Sequence, residues 1–257
     1  MNKIAEAFRG KKAFIPFLTG GDPDIATTEK LIPLLAAAGA DVIEIGIPFS
    51  DPIAEGPVIQ EADERALSAG CTTDALFQMV GRIRKDVKVP LLFMTYINPV
   101  FTYGKARFME NCAAAGIDGV IIPDLPFEER DEVAGACRQN GITQISMIAP
   151  TSRERITTIA KNAEGFLYCV SSLGVTGMRN RLGGNAAEMI RQAKTVTDTP
   201  CAVGFGVSTP AQAKEMAAVA DGVIIGSAIV RLIGQYGQAA PEPVAAFVRS
   251  VRQALDE

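Results

Sequence analysis

Three acidic residues are the first candidates for chemistry in this sequence, and all lie in the stretch DVIEIGIPFSDPIAEGP, residues 41–57. Glu44 interrupts an apolar run, and Asp51 and Glu55 lie in the proline-containing segment that follows it. A carboxyl group in apolar surroundings loses hydration, so its pKa rises toward the range that suits general acid–base catalysis. The stretch therefore predicts a site that works through carboxyl groups.

Strand alternation predicts the direction of Glu44. Successive side chains of a strand point to opposite faces, so the isoleucines of the run share one face and Glu44 shares the other with Val42 and Gly46. We expect the isoleucine face to meet helices and Glu44 to point inward. The alternative for Glu44 is a hydrogen-bonded structural role, and for Asp51 and Glu55 it is a solvated loop charge or a helix cap.

Glycine-rich segments late in the sequence predict an anion site. SSLGVTGMRNRLGG, GFGVSTP and GSAIV each follow an apolar run. Free backbone N–H groups and a helix dipole bind phosphate in such loops, and Gly206, Gly226 and Ser227 are the candidate donors. Tight turns that require glycine are the alternative. Arg179 and Arg181 would add positive charge, although charged residues in long loops are usually solvated.

The absence of histidine narrows the chemistry more than any other feature of the composition. It excludes Ser-His-Asp and Cys-His catalysis and most transition-metal sites. No apolar run contains lysine, which argues against Schiff-base catalysis. The five cysteines form no CxxC pair, so we expect buried thiols rather than disulfides or a zinc ribbon. Carboxylate acid–base catalysis remains, on a small phosphorylated substrate that accepts its own electrons once protonated.

Length and composition indicate an ordinary globular protein. The chain has 257 residues, 48% of them hydrophobic and 21% charged, and a formal net charge of -4. Its scattered basic residues argue against nucleic acid or an anionic membrane as a partner. No apolar run approaches the roughly 20 residues of a membrane span, and the N-terminal segment lacks the pattern of a signal peptide. We therefore expect a cytoplasmic protein.

Apolar runs and amphipathic segments alternate along the chain. The eight runs are AFIPFL, DVIEIGI, VPLLFMTY, GVIIPDL, QISMIAP, GFLYCVS, CAVGFGV and DGVIIGS. Continuous apolar runs suit strands covered on both faces, and the intervening helices suit parallel crossovers. The sequence predicts an α/β fold, a (β/α)8 TIM barrel, in one domain over residues 1–257, with Glu44 near the carboxyl end of the second strand. A doubly wound open sheet is the alternative, but FLTGGDPD lacks the GxGxxG spacing.

Seven segments together resemble one enzyme family. They are FIPFLTGGDPD, IEIGIPFSDPIAEGP, MTYINPVFTYG, IIPDLPFEE, YCVSSLGVTG, GFGVSTPAQ and GVIIGSAIV, in family order between Phe14 and Val230. The chain is similar to the tryptophan synthase alpha chain. That resemblance implies a (β/α)8 barrel that cleaves indole-3-glycerol phosphate to indole and glyceraldehyde 3-phosphate in a retro-aldol reaction.

The resemblance also implies roles for individual residues. Glu44 matches a catalytic glutamate that protonates indole C3 and later takes the glycerol hydroxyl proton. Glu55 falls where the family usually has an aspartate that acts on the indole N–H, so its side chain is one methylene longer. Tyr168 and Thr176 match supporting positions. The matched substrate-binding positions are Phe17, Tyr96, Gly177, Phe205, Gly206, Gly226 and Ser227.

A protein partner is implied as well. Pro48, Phe49, Asp51 and Asn98 match positions that face a beta subunit, which would give Asp51 an interface role rather than a catalytic one. The assembly would be an alpha2beta2 heterotetramer that passes indole to the beta subunit for L-tryptophan synthesis. This chain would hold no metal or cofactor, and pyridoxal phosphate would belong to the beta partner. Two alternatives stay open: another sugar-phosphate enzyme on the same barrel, and a barrel without catalysis that only activates a partner.

Overall fold

Parallel strands form one curved sheet. The computed structural model describes residues 2–150, 153–170, 182–204 and 206–257. All neighbouring strands in this part of the chain are parallel, and each predicted apolar run contributes to a strand. The strands are β1 (Ala13–Thr19), β2 (Ile43–Gly46), β3 (Leu91–Met94), β4 (Gly119–Ile121), β5 (Thr143–Gln144), β6 (Ser146–Ile148), β7 (Leu167–Val170), β8 (Cys201–Gly204) and β9 (Gly222–Ile225).

The sheet closes through a strand that is interrupted at one residue. Its hydrogen-bonded order is β5-β4-β3-β2-β1-β9-β8-β7-β6. The end members β5 and β6 are separated in the chain only by Ile145, whose N–H donates to the Val120 carbonyl oxygen at 2.9 Å. They are two halves of the fifth barrel strand. The predicted (β/α)8 barrel is confirmed.

Helices cover the outside of the sheet, and the predicted amphipathic segments contain several of them. The Asp24 carboxylate caps one by accepting the Thr27 N–H at 2.7 Å, and Pro57 opens the next, where its missing N–H costs nothing. In the described residues the helices are α1 (Lys3–Glu6), α2 (Ile25–Ala37), α3 (Pro57–Ser68), α4 (Thr73–Ile83), α5 (Ile97–Tyr103), α6 (Lys105–Ala115), α7 (Asp131–Asn140), α8 (Arg153–Lys161), α9 (Leu182–Lys194), α10 (Pro210–Ala217), α11 (Ser227–Tyr236) and α12 (Pro241–Asp256). Short 3-10 helices span Phe127–Glu129 and Gly237–Ala239.

Two apolar layers lie on the two sides of the sheet. The outer layer joins strands to helices and includes Ile43 and Ile45, whereas the inner layer includes Val42 and Leu92. Glu44 lies on the strand face of Val42, as alternation predicts. All five cysteines are buried free thiols, which confirms their predicted environment.

The N-terminal helix closes the base of the barrel. Asn2 caps α1 by accepting the Ile4 N–H at 2.9 Å. Ile4 and Phe8 are buried in the inner apolar layer, and the Phe8 ring lies 5.5 Å from the ring of Phe166. Their burial removes apolar surface from water at the strand starts.

Asp41 ties the base of the barrel to the last helix. It lies just before β2, is buried, and accepts the Phe14 N–H of β1 at 2.8 Å. Arg252 of α12 donates to the same carboxylate at 3.0 Å, and Lys11 also pairs with it. One carboxylate thus serves three donors, two at the start of β1 and one from α12.

Replacing Asp41 with alanine should lower the free energy of unfolding by about 2–4 kcal/mol, because buried donors lose their charged acceptor. Urea denaturation measures this change. Asp256→Ala is the control: Asp256 binds the same arginine at 2.6 Å but is 62% exposed, so its loss should cost less than about 1 kcal/mol. Equal costs for the two variants would contradict the role given to Asp41.

Candidate active site

Glu44 lies inside the barrel without a hydrogen-bond donor. In the sheet register it lies between Phe17 of β1 and Leu92 of β3. Glu44 is 0% exposed, and neither carboxyl oxygen has a hydrogen-bond partner among the residues that the structure describes. Burial therefore raises the pKa of Glu44 well above its usual range. This favours the protonated form, which is the form of a general acid.

Tyr168 shares the barrel interior with Glu44. The Tyr168 side chain on β7 is buried, and its pKa is raised first by burial and then by the negative charge that Glu44 carries when ionised. Gly204 on the neighbouring strand β8 leaves room for the ring, because a Cβ there would lie 2.5 Å from the Tyr168 hydroxyl oxygen. The structure thus brings the predicted acid and the predicted supporting tyrosine into one space.

Phe17 forms an apolar wall above Glu44. It packs with Ile59 and Ala62 of α3 and with Val230 of α11. Two glycines fit against its ring: a Cβ on Gly46 would lie 2.7 Å from Phe17 Cζ, and a Cβ on Gly226 would lie 3.2 Å from its Cδ1. Phe17 is therefore fixed between β2 and the start of α11, where a flat apolar ligand could contact it.

Glu55 lies just before α3 and touches two polar side chains. Its carboxyl group lies close enough to Asp63 and to the Tyr96 hydroxyl for both of them to affect its pKa. The Tyr96 hydroxyl oxygen also accepts the Ala54 N–H at 3.1 Å, which ties the loop to the start of α5. Burial raises the pKa of Glu55, and burial with the charge of Glu55 raises the pKa of Asp63 to about 9. A proton is therefore held by this pair at neutral pH.

The two predicted catalytic carboxyl groups come from different elements and sit in different surroundings. Glu44 projects from β2 into an apolar interior, whereas Glu55 sits in a polar contact before α3. Neither group contributes to the pKa of the other. Such a difference in environment lets two carboxyl groups take different acid–base roles.

The predicted phosphate donors lie at the carboxyl ends of two neighbouring strands. Gly206 follows β8 in an exposed bend with a φ of 82°, a backbone conformation that favours glycine. Gly226 directly follows β9 and precedes Ser227, the first residue of α11. The first N–H groups of a helix are free to bind an anion, so this corner can hold a phosphate.

Some predicted site residues lie outside the described part of the chain. These are the supporting residue Thr176 and the substrate-binding positions Gly177 and Phe205, together with Arg179 and Arg181. Their roles stay predictions.

The predicted interface residues differ in accessibility. Pro48 is buried in this chain, and Phe49 is half-buried with its ring 5.4 Å from the Tyr96 ring. Asp51 and Asn98 are exposed, and Asp51 accepts a hydrogen bond from the neighbouring Ser50 hydroxyl. The accessible members of this set therefore lie on the segments that follow β2 and β3.

Asp63 is the site residue that sequence reasoning missed. Its segment has the sequence pattern of an amphipathic helix, yet Asp63 lies on the buried stripe with Ile59, Ala62 and Ala66. A carboxyl group at an apolar helix position is a signal that the sequence contains. What the sequence does not show is which side chain faces it.

Two other kinds of feature, a metal-binding cluster and a membrane-spanning helix, are absent from the described residues. Within these ranges, no group of three or more His, Cys, Asp or Glu residues is arranged to hold a metal ion. None of the described helices is long and apolar enough to cross a membrane.

Comparison with known proteins places the chain in a family. The family model of the tryptophan synthase alpha chain matches residues 4–256. This chain belongs to that family. It is 48% identical to the tryptophan synthase alpha chain of Lacticaseibacillus casei over 256 residues, 100% of this chain and 96% of that protein. The family resemblance inferred from the seven segments is confirmed, and with it the assignment to a lyase of tryptophan biosynthesis.

Solved structures agree with the family assignment. Tryptophan synthase subunit alpha from Legionella pneumophila superposes with a TM-score of 0.90 at 39% identity, covering 100% of this chain and 99% of that one. A chain of the tryptophan synthase complex from Pyrococcus furiosus gives a TM-score of 0.86 at 36% identity, covering 94% and 98%.

Glu44→Gln should change how stability depends on pH. Because the folded-state pKa of Glu44 lies above its unfolded value of 4.5, the native glutamate stabilises the fold fully only below that value and loses this contribution as pH rises toward the folded pKa. The stability of Glu44→Gln relative to native should therefore increase between about pH 5 and 8. Urea denaturation across this range measures it, with the exposed Glu61→Gln as control. A stability difference for Glu44→Gln that does not vary with pH would contradict the raised pKa.

Proposed function

We propose that this chain is the alpha subunit of a tryptophan synthase and cleaves indole-3-glycerol phosphate to indole and glyceraldehyde 3-phosphate. The observation that carries the proposal is the buried carboxyl group of Glu44, whose oxygens have no partner among the described residues. A barrel enzyme keeps its chemistry at this end of the strands, and the cost of burying an unpaired acid favours a role for it in the reaction. Membership of the family supplies the substrate.

In the proposed reaction Glu44 first donates a proton to the substrate and then accepts one from it. Its protonated carboxyl group donates to indole C3, which converts the ring into an electron acceptor. The resulting carboxylate then takes the proton of the glycerol hydroxyl next to the ring. The carbon–carbon bond breaks, its electron pair returns to the ring, and the aldehyde is released. Glu44 ends the cycle protonated, so the raised pKa of Glu44 suits both steps.

Glu55 is proposed to act on the indole N–H. Positive charge develops on the indole nitrogen when C3 is protonated, and a carboxylate within reach stabilises it or accepts the proton. Tyr96 contacts Glu55 and is a proposed wall of the indole pocket, so one residue would both position the base and pack against the ring. The proton returns to nitrogen as the ring regains aromaticity. All steps use side chains of this chain.

Substrate binding is proposed at two ends of the pocket. The indole ring would lie against Phe17 and Tyr96, since flat apolar walls suit a bicyclic ring. The phosphate would bind backbone N–H groups of Gly206, Gly226 and Ser227 at the start of α11, with Gly177 and Phe205 as further contacts. Tyr168 and Thr176 would assist without transferring protons.

A beta subunit is the proposed partner. The Pyrococcus furiosus relative is described as part of a tryptophan synthase complex. On this chain the segments after β2 and β3 expose two large apolar side chains, Ile53 at 78% and Phe101 at 45%. They accompany Asp51 and Asn98, and apolar residues at such positions are typical of binding surfaces. We propose an alpha2beta2 heterotetramer in the cytoplasm that passes indole to a pyridoxal phosphate site in the beta subunit.

Glu44→Gln tests the catalytic proposal. The amide keeps the shape of the side chain but cannot donate or accept the transferred proton, so kcat for indole release should fall by about 10²-fold or more. Binding of glycerol phosphate, measured by calorimetry, should stay within about twofold because the phosphate corner is untouched. Glu61→Gln on the exposed side of α3 should leave both values unchanged. Near-native turnover by Glu44→Gln would refute the assignment.

A matched pair of variants tests the partner surface. Phe101→Ser should raise the Kd for the cognate beta subunit by about tenfold or more, because it removes an exposed aromatic side chain from the proposed interface. Tyr236→Ser is the control, since Tyr236 is 44% exposed at the far end of α11 and should not affect the Kd. Calorimetric titration gives both values. Equal Kd values for the two variants would show that the interface lies elsewhere. If the chain activated the beta subunit but released no indole, it would be a barrel that only activates its partner.

A further inference from the structure

Two acidic side chains in the candidate site touch each other instead of a cation. Asp63 projects from the buried stripe of α3, is 4% exposed, and contacts the Glu55 carboxyl group. Glu55 Oε2 and Asp63 Oδ2 are each buried without a hydrogen-bond donor among the described residues. Two buried acceptors in contact leave a place for one proton between them.

The groups around Asp63 supply no positive charge to pair with it. Glu55 faces it from the loop before α3, and Asp22 adds further negative charge from the loop after β1. Arg65, two residues further along α3, is held by Asp22 through two hydrogen bonds of 2.8 Å. Tyr96 contributes a neutral hydroxyl from the start of α5, and the backbone of Phe49 acts to lower the pKa of Asp63. Within the described ranges, no ion pair reaches Asp63 or Glu55.

Two carboxyl groups in contact in a poorly solvated place cannot both ionise at low cost. The pair keeps one proton until the pH rises well above neutral, and the two sites titrate as a unit. The raised pKa of Asp63, about 9 through burial and the charge of Glu55, agrees with this geometry.

We propose that Asp63 is a positioning residue of this site: its shared proton holds the Glu55 side chain in one orientation and keeps it as the charged member of the pair. This inference rests on the proposed function for the role of Glu55, whereas the shared proton itself depends only on the two side chains. Without a donor at position 63, burial would raise the pKa of Glu55 further and leave it uncharged at neutral pH. Tyr96 would then be its remaining neighbour in the contact.

Carboxyl NMR of the ligand-free chain tests the shared proton. With aspartate labelled by ¹³C at Cγ, one aspartate signal should titrate near pH 9, and it should disappear in Asp63→Asn. Asp86→Asn, the same change at an exposed position, should leave that signal in place. An Asp63 signal that titrates below about pH 6, in the ordinary range of carboxyl groups, would overturn the proposal.

Two variants of similar shape test the positioning role. Asp63→Asn keeps a donor to Glu55 and should hold kcat within about threefold of native at pH 7.5. Asp63→Leu has no donor, so kcat should fall about 10–100-fold with KM within about threefold, and the acid limb of the kcat profile should move up by about one pH unit or more. Asp86→Asn should match native.

Equal kcat values and pH profiles for Asp63→Asn and Asp63→Leu would overturn the positioning role. If Asp63→Leu fails to fold, Asp63→Asn still tests the positioning role. A drop of more than tenfold in its kcat would show that a hydrogen-bond donor at position 63 is not enough to position Glu55, which would contradict the proposal. Failure of the proposed function has a different signature. The native chain would release no indole with or without the beta subunit, while the NMR titration would still establish or refute the shared proton.

Discussion

A carboxyl group buried without a donor is the constraint on which the rest of this structure depends. Ionised Glu44 would lose its hydration inside the barrel and gain no partner there among the described residues, which costs several kcal/mol. Protonation removes most of that cost, so the fold itself keeps a transferable proton in place. The same argument explains why the surroundings must stay dry. Water beside Glu44 would restore its usual pKa and weaken it as an acid.

The barrel maintains this environment from both ends. At the base, Ile4 of the N-terminal helix and Phe8 just after it fill the interior. At the mouth, glycines leave the volume that aromatic rings occupy: Gly204 accommodates Tyr168, and Gly46 accommodates Phe17. Small residues on strands thus determine where large side chains can stand. The shape of the space above Glu44 is therefore set by the packing of aromatic rings against glycines rather than by polar contacts.

The charge state of the second carboxyl group, that of Glu55, depends on neighbouring side chains. Glu55 is not isolated but lies against Asp63 and Tyr96, so neighbouring groups, not only burial, set its charge. One acid in an apolar cavity keeps its proton, while another can remain ionised because an adjacent acid holds a proton for both. In the proposed reaction, these two environments would separate the acid and base roles of chemically similar side chains.

Local pattern was enough to predict the strands, the barrel and the inward direction of Glu44, because alternation along a strand and repetition of βα units depend on neighbours in the sequence. The segments around Glu44 and Gly226 were enough to predict the family. Three features were beyond that reasoning: the burial of Ile4 at the barrel base, the interruption of the fifth strand at Ile145 and the contact of Asp63 with Glu55. The sequence by itself determined which residue types line each face. Only the tertiary structure decided which charged groups meet, because burial and pairing arise when separate elements close around the same space.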